Sequence, residues 1–233
     1  MSTLNNSGME KEKNCKNNIN MVLWNNQIKN LFEDKTLNQR IKKKLPQLFQ
    51  LAELESSRAG KVGMEVGSVR EKIIVSLLIY KFGEENVVTE IPITESEVDV
   101  ILFNNPISIK TITGKNPSGI KLIWTVDAQK SIEFSQNYSP HCDMILVQIN
   151  WENGGGFYYI SKEVQFETLN EMGRENYIKL PKQGTNPRGV EMTGKAMQRL
   201  LSNQQTLKIP IDWKKEVINF KPFERWIELW RQD

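Results

Sequence analysis

Glu71, Asp99 and Lys110 are two acids and an ammonium whose types could do metal-assisted chemistry if the fold brings them together. Asp99 and Lys110 belong to a predicted hairpin running from Glu97 to Ile112, with its turn at Asn104-Asn105 and Pro106 just after. A loop symmetric about that pair makes facing residue numbers sum to about 209, with facing Cβ atoms about 4.5–5.5 Å apart. Asp99 then faces Lys110 and Ile101 faces Ser108. Alternation puts Glu97 on the face of Asp99 and sends Val98, Val100, Ile107 and Ile109 to the other. Such a pair also reads as an ordinary cross-strand salt bridge, contributing about 0–1 kcal/mol. Glu71 has two readings as well. Ser68-x-x-Glu71 spells a capping box, in which the glutamate bonds back to the serine amide. Alternatively, a helix packed across the hairpin sheet brings Glu71 over Asp99. Two carboxylates that close repel unless a hard cation lies between them, and oxygen ligands suit Mg²⁺.

Several elements must position these groups. Val22, Leu23, Trp24, Ile28, Leu31 and Phe32 have helical spacing, as do Ile41, Leu45, Leu48, Leu51 and Leu54. Pro46 is expected to interrupt the second segment near its start. Residues 56–67, punctuated by Gly60, Gly63 and Gly67, read as a mobile loop. A helix is predicted from Ser68 to about Phe82, with Val69, Ile73, Ile74, Leu77 and Leu78 along one side and Gly83 as its stop. The period then changes to two. Strands are predicted at 87–93, 97–103, 106–112, 120–126, 143–150 and 156–161. Helical patterns return at 161–172, 190–202 and 223–231, the last started by Pro222. The expected class is α/β (α+β), a central mixed sheet flanked by helices. A disordered lead over 1–20 precedes a single domain over 21–233. Its parts are a helical portion at 21–56, a core at 57–161 and a second helical portion at 162–233.

Composition narrows the function. A chain of 233 residues buries a sizeable core without disulfides or structural metals. Cys15 and Cys142 are too few for a zinc cluster or disulfide framework, which fits a reducing compartment. His141 is the one histidine, so hydrolases built on paired histidines are excluded, and it reads as a turn or surface residue. No apolar run approaches the roughly 18 residues a membrane span needs, and the polar N-terminus lacks a signal-peptide core. The expected location is the cytoplasm. The net charge is +3, yet residues 1–50 hold nine Lys/Arg against four Asp/Glu, leaving −2 for the remainder. The basic part, including Lys42-Lys43-Lys44, is either a phosphate contact or a solvated helix face.

A helix carrying a glutamate, a strand with Asp, and a neighbouring strand with Lys together resemble the PD-(D/E)xK nuclease superfamily. The spacing of Glu71, Asp99 and Lys110, with Gly63-Met64-Glu65-Val66-Gly67 ahead of the helix, is most similar to the CGCG-cutting ThaI restriction endonucleases, over roughly residues 58–114. Val98 stands where the motif has proline, and Ser108 where it has a second acid, so Glu71 must supply the missing carboxylate. The resemblance implies a restriction-endonuclease-like core and Mg²⁺ bound by Glu71, Asp99 and the Ile109 carbonyl. It also implies Lys110 acting on the attacking water, and a homodimer cutting palindromic double-stranded DNA at CG/CG to blunt ends. A cognate DNA methyltransferase would belong to the same system.

Met64 reads either as core filler beside Val62 and Val66 or, by the resemblance, as a wedge entering a base step. Arg58 and Lys61 are candidate phosphate or base contacts. Arg188, in Asn186-Pro187-Arg188-Gly189, is a candidate guanine reader or a plain surface turn. The glycine run 154–156 is expected to form a hairpin turn rather than a phosphate loop. Asp212-Trp213-Lys214 also spells Asp-x-Lys, but it has no partner aspartate strand ahead of it and is rejected. Two rival functions remain open: another nuclease of this scaffold acting in repair or junction resolution, and a non-catalytic DNA-binding module in which Asp99–Lys110 is only an ion pair. Branched-DNA assays separate the first, and insensitivity to Asp99→Ala the second.

Overall fold

The computed structural model describes residues 24, 26–58, 61–63, 65–92, 97–117, 119–181 and 189–232, with the Arg58 side chain left aside. The expected N-terminal lead, Met64 and Arg188 lie outside the described residues. A six-stranded mixed sheet organises the chain, in the order β11 (Leu207–Trp213), β8 (Asn153–Ile160), β7 (Asp143–Ile149), β5 (Asn105–Thr113), β4 (Val100–Leu102) and β3 (Val87–Val88). All neighbours are antiparallel except β5 and β7. The strands β6 (Lys121–Ile123), β10 (Val190–Met192) and β9 (Ile178–Lys179) form a separate three-stranded sheet, and β1 (Ser57–Arg58) pairs with β2 (Lys61–Val62).

Alternation along the central strands gives the sheet two buried faces. On one, Val100, Leu102, Ile107, Ile109, Ile145, Val147, Phe157 and Trp213 pack against α1 (residues 26–33), α2 (Lys35–Glu55) and α3 (Val66–Phe82) through Ile28, Leu31, Ile41, Leu45, Phe49, Ile74 and Leu78. The other face pairs Ile112, Met144, Leu146, Tyr158 and Ile160 with α5 (Lys162–Met172), α6 (Arg174–Tyr177), α7 (Gly194–Leu201) and the small sheet. β7 is buried along its whole length. Burial on both faces explains its apolar run from Met144 to Val147.

Several local expectations are corrected. Pro46 does not interrupt α2, which starts earlier than its apolar pattern, at Lys35, under an Asp34 cap whose carboxylate accepts the Leu37 amide at 2.9 Å. Proline removes one helical hydrogen bond, and the burial of Leu45, Pro46 and Phe49 around it holds the helix continuous. Residues 56–67 are partly a short hairpin, β1–β2. α3 begins at Val66, so Ser68 and Glu71 lie inside it and form no capping box. The glycines at 154–156 belong to β8, and the turn falls earlier, with Glu152 at φ 63°. A Cβ on Gly155 would lie 2.2 Å from the Gln148 carbonyl and 2.6 Å from the Trp213 indole, so the glycine lets those groups close in. The 190–202 pattern opens as β10 and turns helical only at Gly194.

α4 (Ala128–Asn137), capped by Asp127, and β11 are elements that periodicity did not suggest. The rejected Asp212-Trp213-Lys214 lies at the end of β11, an edge strand, with both charged residues exposed. α8 (Glu224–Trp230) forms close to its expected place. Among the described residues no helix is long and apolar enough to cross a membrane.

Candidate active site

The Asp99–Lys110 hairpin turns on Phe103 and Asn104, one residue earlier than expected, with φ of 48° and 64°. Two successive positive φ values are what a two-residue type I′ hairpin turn requires. The Asn105 side-chain amide donates to the Phe103 carbonyl at 2.9 Å, and the Phe103 ring packs edge-on against Phe82 at 5.4 Å. These contacts hold a phenylalanine in a conformation it rarely adopts. Leu102 consequently faces Asn105 and Val100 faces Ile107, so facing numbers sum to 207. Asp99 is therefore diagonal to Lys110 rather than directly opposite. Moving the turn by one residue changes the sum by two, so every side chain keeps its face.

The pair still meets. Asp99 Oδ2 accepts from Lys110 Nζ at 2.9 Å, from the Ile109 backbone amide at 2.6 Å and from Ser108 Oγ at 3.3 Å. Asp99 and Lys110 are both about one-fifth exposed, so solvent reaches the pair from one side. Ile109 approaches Asp99 through its amide, and its side chain points into the core.

Glu71 reaches the same region from α3. That helix is fixed to α2 by a buried ion pair one residue earlier: Arg70 Nη2 lies 2.6 Å from Glu53 Oε1, which also accepts the Trp151 indole at 2.8 Å. The Arg70 guanidinium lies over Phe49 at 5.6 Å. At its other end α3 is held to the Asp34 cap of α2 by Lys81, at 2.8 Å. Burial pushes the half-buried Glu71 carboxyl up from its ordinary range, the charge of Asp99 adds to the rise, and Lys110 and Lys72 oppose it. Glu71 therefore feels both Asp99 and Lys110.

Glu97 is a further carboxylate beside these groups, which sequence reasoning placed on this face without assigning it a role. Its side chain is 7% exposed, Oε2 lies 3.1 Å from His141 Nδ1, and Oε1 is buried with no hydrogen-bond partner. Burial pushes its carboxyl up to about 7, with Lys110 lowering and Asp99 raising it. His141 is half exposed, as its turn position suggested. Beside it Cys142 is a buried free thiol pushed up to about 12, chiefly by burial. The alternating Glu97-Val98-Asp99 was the one local signal for Glu97.

Three carboxylates thus gather around one ammonium, and one carboxylate oxygen is orphaned. Burying like charges together is costly unless a cation offsets them. The all-oxygen set of Glu71, Asp99 and nearby carbonyls fits a hard divalent ion. Lys61, a candidate DNA contact, is exposed on β2 just ahead of α3 and pairs through its backbone with Arg58. Val62, at the end of β2, is 47% exposed.

A family model described as restriction endonuclease ThaI matches residues 31–232. The chain belongs to the ThaI restriction endonuclease family. A solved structure described as a restriction endonuclease in complex with substrate DNA is 57% identical, with a TM-score of 0.83, and the match covers 88% of this chain and 99% of that one. No curated protein sequence matches. Membership in the ThaI family makes the protein a site-specific nuclease, and the mixed sheet flanked by helices is the fold of that relative. Every residue of the candidate site lies inside the matched span.

Proposed function

We propose that this restriction endonuclease cuts both strands of palindromic CGCG duplex DNA at CG/CG, leaving blunt ends. It acts as a Mg²⁺-dependent homodimer, through Glu71, Asp99 and Lys110. The observation that carries the reading is the convergence on one Asp99 oxygen of the Lys110 ammonium and the Ile109 amide, with Glu71 close enough to feel their charges.

Glu71, Asp99 and the Ile109 carbonyl would hold the magnesium. The ion, when bound, supplies a Lewis acid that activates water and offsets charge building on the phosphate. The Lys110 ammonium orients the attacking water, helps its deprotonation by stabilising the hydroxide as the proton leaves to solvent, and stabilises the negative charge that develops on the phosphoryl oxygens. Asp99 keeps the ammonium in place while the Ile109 amide fixes the carboxylate rotamer. In-line attack leaves a 5′-phosphate and a 3′-hydroxyl.

Duplex DNA as partner is supported by the relative, whose structure is described as holding substrate DNA. The target and the two-fold assembly rest on the family resemblance, because a palindrome matches a symmetric dimer. Met64 enters a CG step as an apolar wedge, Arg58 and Lys61 contact phosphates or bases beside it, and Arg188 reads guanine. A cognate methyltransferase protects the host's own sites, and the enzyme works in the cytoplasm.

Digestion of unmethylated plasmid with Mg²⁺, followed by sequencing of the ends, tests activity, site and overhang together. Blunt ends between C-G and C-G are expected; cutting elsewhere, or none, refutes the reading. Met64→Ala should weaken cleavage at least about tenfold, since partial unstacking is worth a few kcal/mol per step, while the far-UV spectrum stays unchanged. Wild-type rates in that variant would remove the wedge.

A further inference from the structure

Beside the candidate active site, Glu97, His141 and Cys142 bring a carboxylate oxygen, an imidazole nitrogen and a thiol sulfur within 4.8 Å of one another. Glu97 comes just before β4, whereas His141 and Cys142 come just before β7, so the cluster joins segments on either side of β5. The three residues differ in setting. Glu97 and Cys142 are buried, and His141 is half exposed and open to solvent.

The Glu97 carboxyl is incompletely satisfied. One oxygen meets His141 Nδ1 at 3.1 Å, the other is buried without a partner, and Cys142 Sγ lies 3.9 Å from the Glu97 carbonyl. Buried polar atoms normally find a hydrogen bond, so an unpartnered carboxylate oxygen in a cluster of metal-binding side chains is a ready cation ligand. Sulfur and imidazole are poor donors for Mg²⁺ but good ones for a borderline ion such as Zn²⁺.

We propose that Glu97, His141 and Cys142 bind a borderline divalent transition ion of the Zn²⁺ class, at a site distinct from the one that serves cleavage. Metal–ligand distances of about 2.0–2.3 Å in a tetrahedral site place the ligands about 3.3–3.8 Å apart. Rotation of the exposed His141 ring and the Cys142 side chain closes the remaining gap. The three protein ligands leave a fourth position open toward solvent, on the His141 side. Binding exchanges the thiol proton for the ion: the Cys142 S–H bond breaks, the sulfur keeps the electron pair and donates it to the metal, and the proton leaves to solvent.

The test uses the full-length protein, freed of metal and titrated with Co²⁺ in buffer without Mg²⁺. A thiolate-to-cobalt charge-transfer band should saturate at one equivalent per chain, be bleached by Zn²⁺ and survive excess Mg²⁺. Cys142→Ser should abolish the band and Cys15→Ser should keep it. His141→Ala should weaken binding about tenfold or more; its half-exposed side chain makes it the deciding variant should Cys142→Ser fail to fold. Glu71→Ala should retain the band, because that residue belongs to the neighbouring site. Absence of the band in the wild type, its persistence without the Cys142 thiol, unchanged binding in His141→Ala, its loss in Glu71→Ala or its displacement by Mg²⁺ each overturns the proposal. CGCG cleavage is read separately and judges only the nuclease reading.

Discussion

Asp99 and Asp143 flank Ile107 in the central sheet yet occupy opposite faces. The Asp99 amide donates to the Ile107 carbonyl, and Asp143 pairs with Ile107 across the parallel β5–β7 ladder. Asp143 is enclosed by donors that belong to the scaffold: its Oδ2 accepts the Trp24 indole at 2.9 Å and the Tyr159 hydroxyl at 2.7 Å, and its Oδ1 accepts the Lys162 amide at 2.8 Å. Asp99 has its amide and its ammonium, but its neighbours are two further carboxylates, both pushed up from their ordinary range. One aspartate is a finished joint between Trp24, β7, β8 and α5. The other is part of a charge excess that protein groups alone do not neutralise. What separates a site from a brace here is the balance of donors and acceptors, since both aspartates lie in or next to strands of one sheet.

The contrast breaks first at Asp99. Asp99→Ala and Lys110→Ala should each lower the DNA cleavage rate about 10²–10⁴-fold, while thermal melting in the absence of metal is unchanged or rises in Asp99→Ala and falls in Lys110→Ala, which removes the cation that offsets the gathered carboxylates. A variant that melts much earlier, with cleavage per folded molecule intact, would assign Asp99 to the scaffold instead. Asp143→Ala should do the reverse. It leaves the Tyr159 hydroxyl without its acceptor, at about 1–3 kcal/mol for a buried group, and the Trp24 indole with the Tyr159 oxygen alone at 3.1 Å; urea melts should show that loss while the folded fraction still cuts. Normal stability in this variant would erase the distinction.

The smallest effect concerns a third acid, Asp34, whose carboxyl is held below its ordinary range, first by the Lys81 side chain and then by the Leu37 amide. A depressed pKa means that the ionised form favours the fold. Its contribution is full above the unfolded carboxylate value of about 3.9 and is lost as pH falls through the folded value. The melting difference between wild type and Asp34→Ala should therefore shrink on acidification, and a gap constant into the acid range would contradict it.

The faces of the hairpin were legible in the sequence because alternation survives any even change in register, so Asp99, Lys110 and Glu97 could be placed together although the turn was misjudged. Phe103 hid the true turn, since a phenylalanine at positive φ is stabilised by the distant Phe82 ring and not by local preference. β11 was hidden by Pro210, which argues against a central strand but is tolerated at an edge. α4 buries only Ser131 among its residues, so it carried no apolar stripe to read. The meeting of Glu97 with His141 and Cys142 depends on how the segments before β4 and β7 close around β5, a relation between segments more than forty positions apart. No spacing within either segment records it.

The tight bend at Phe103 and Asn104 makes this hairpin an alignment gauge. A slip of the strand pairing by one residue there would invert one strand relative to the other and bury the acid among aliphatic side chains, whereas a slip of two, or an inserted residue taken up as a bulge, would leave both outlooks intact. Odd length changes among relatives at this bend should accordingly be matched by a bulge, a constraint on natural drift that arises from pleating alone.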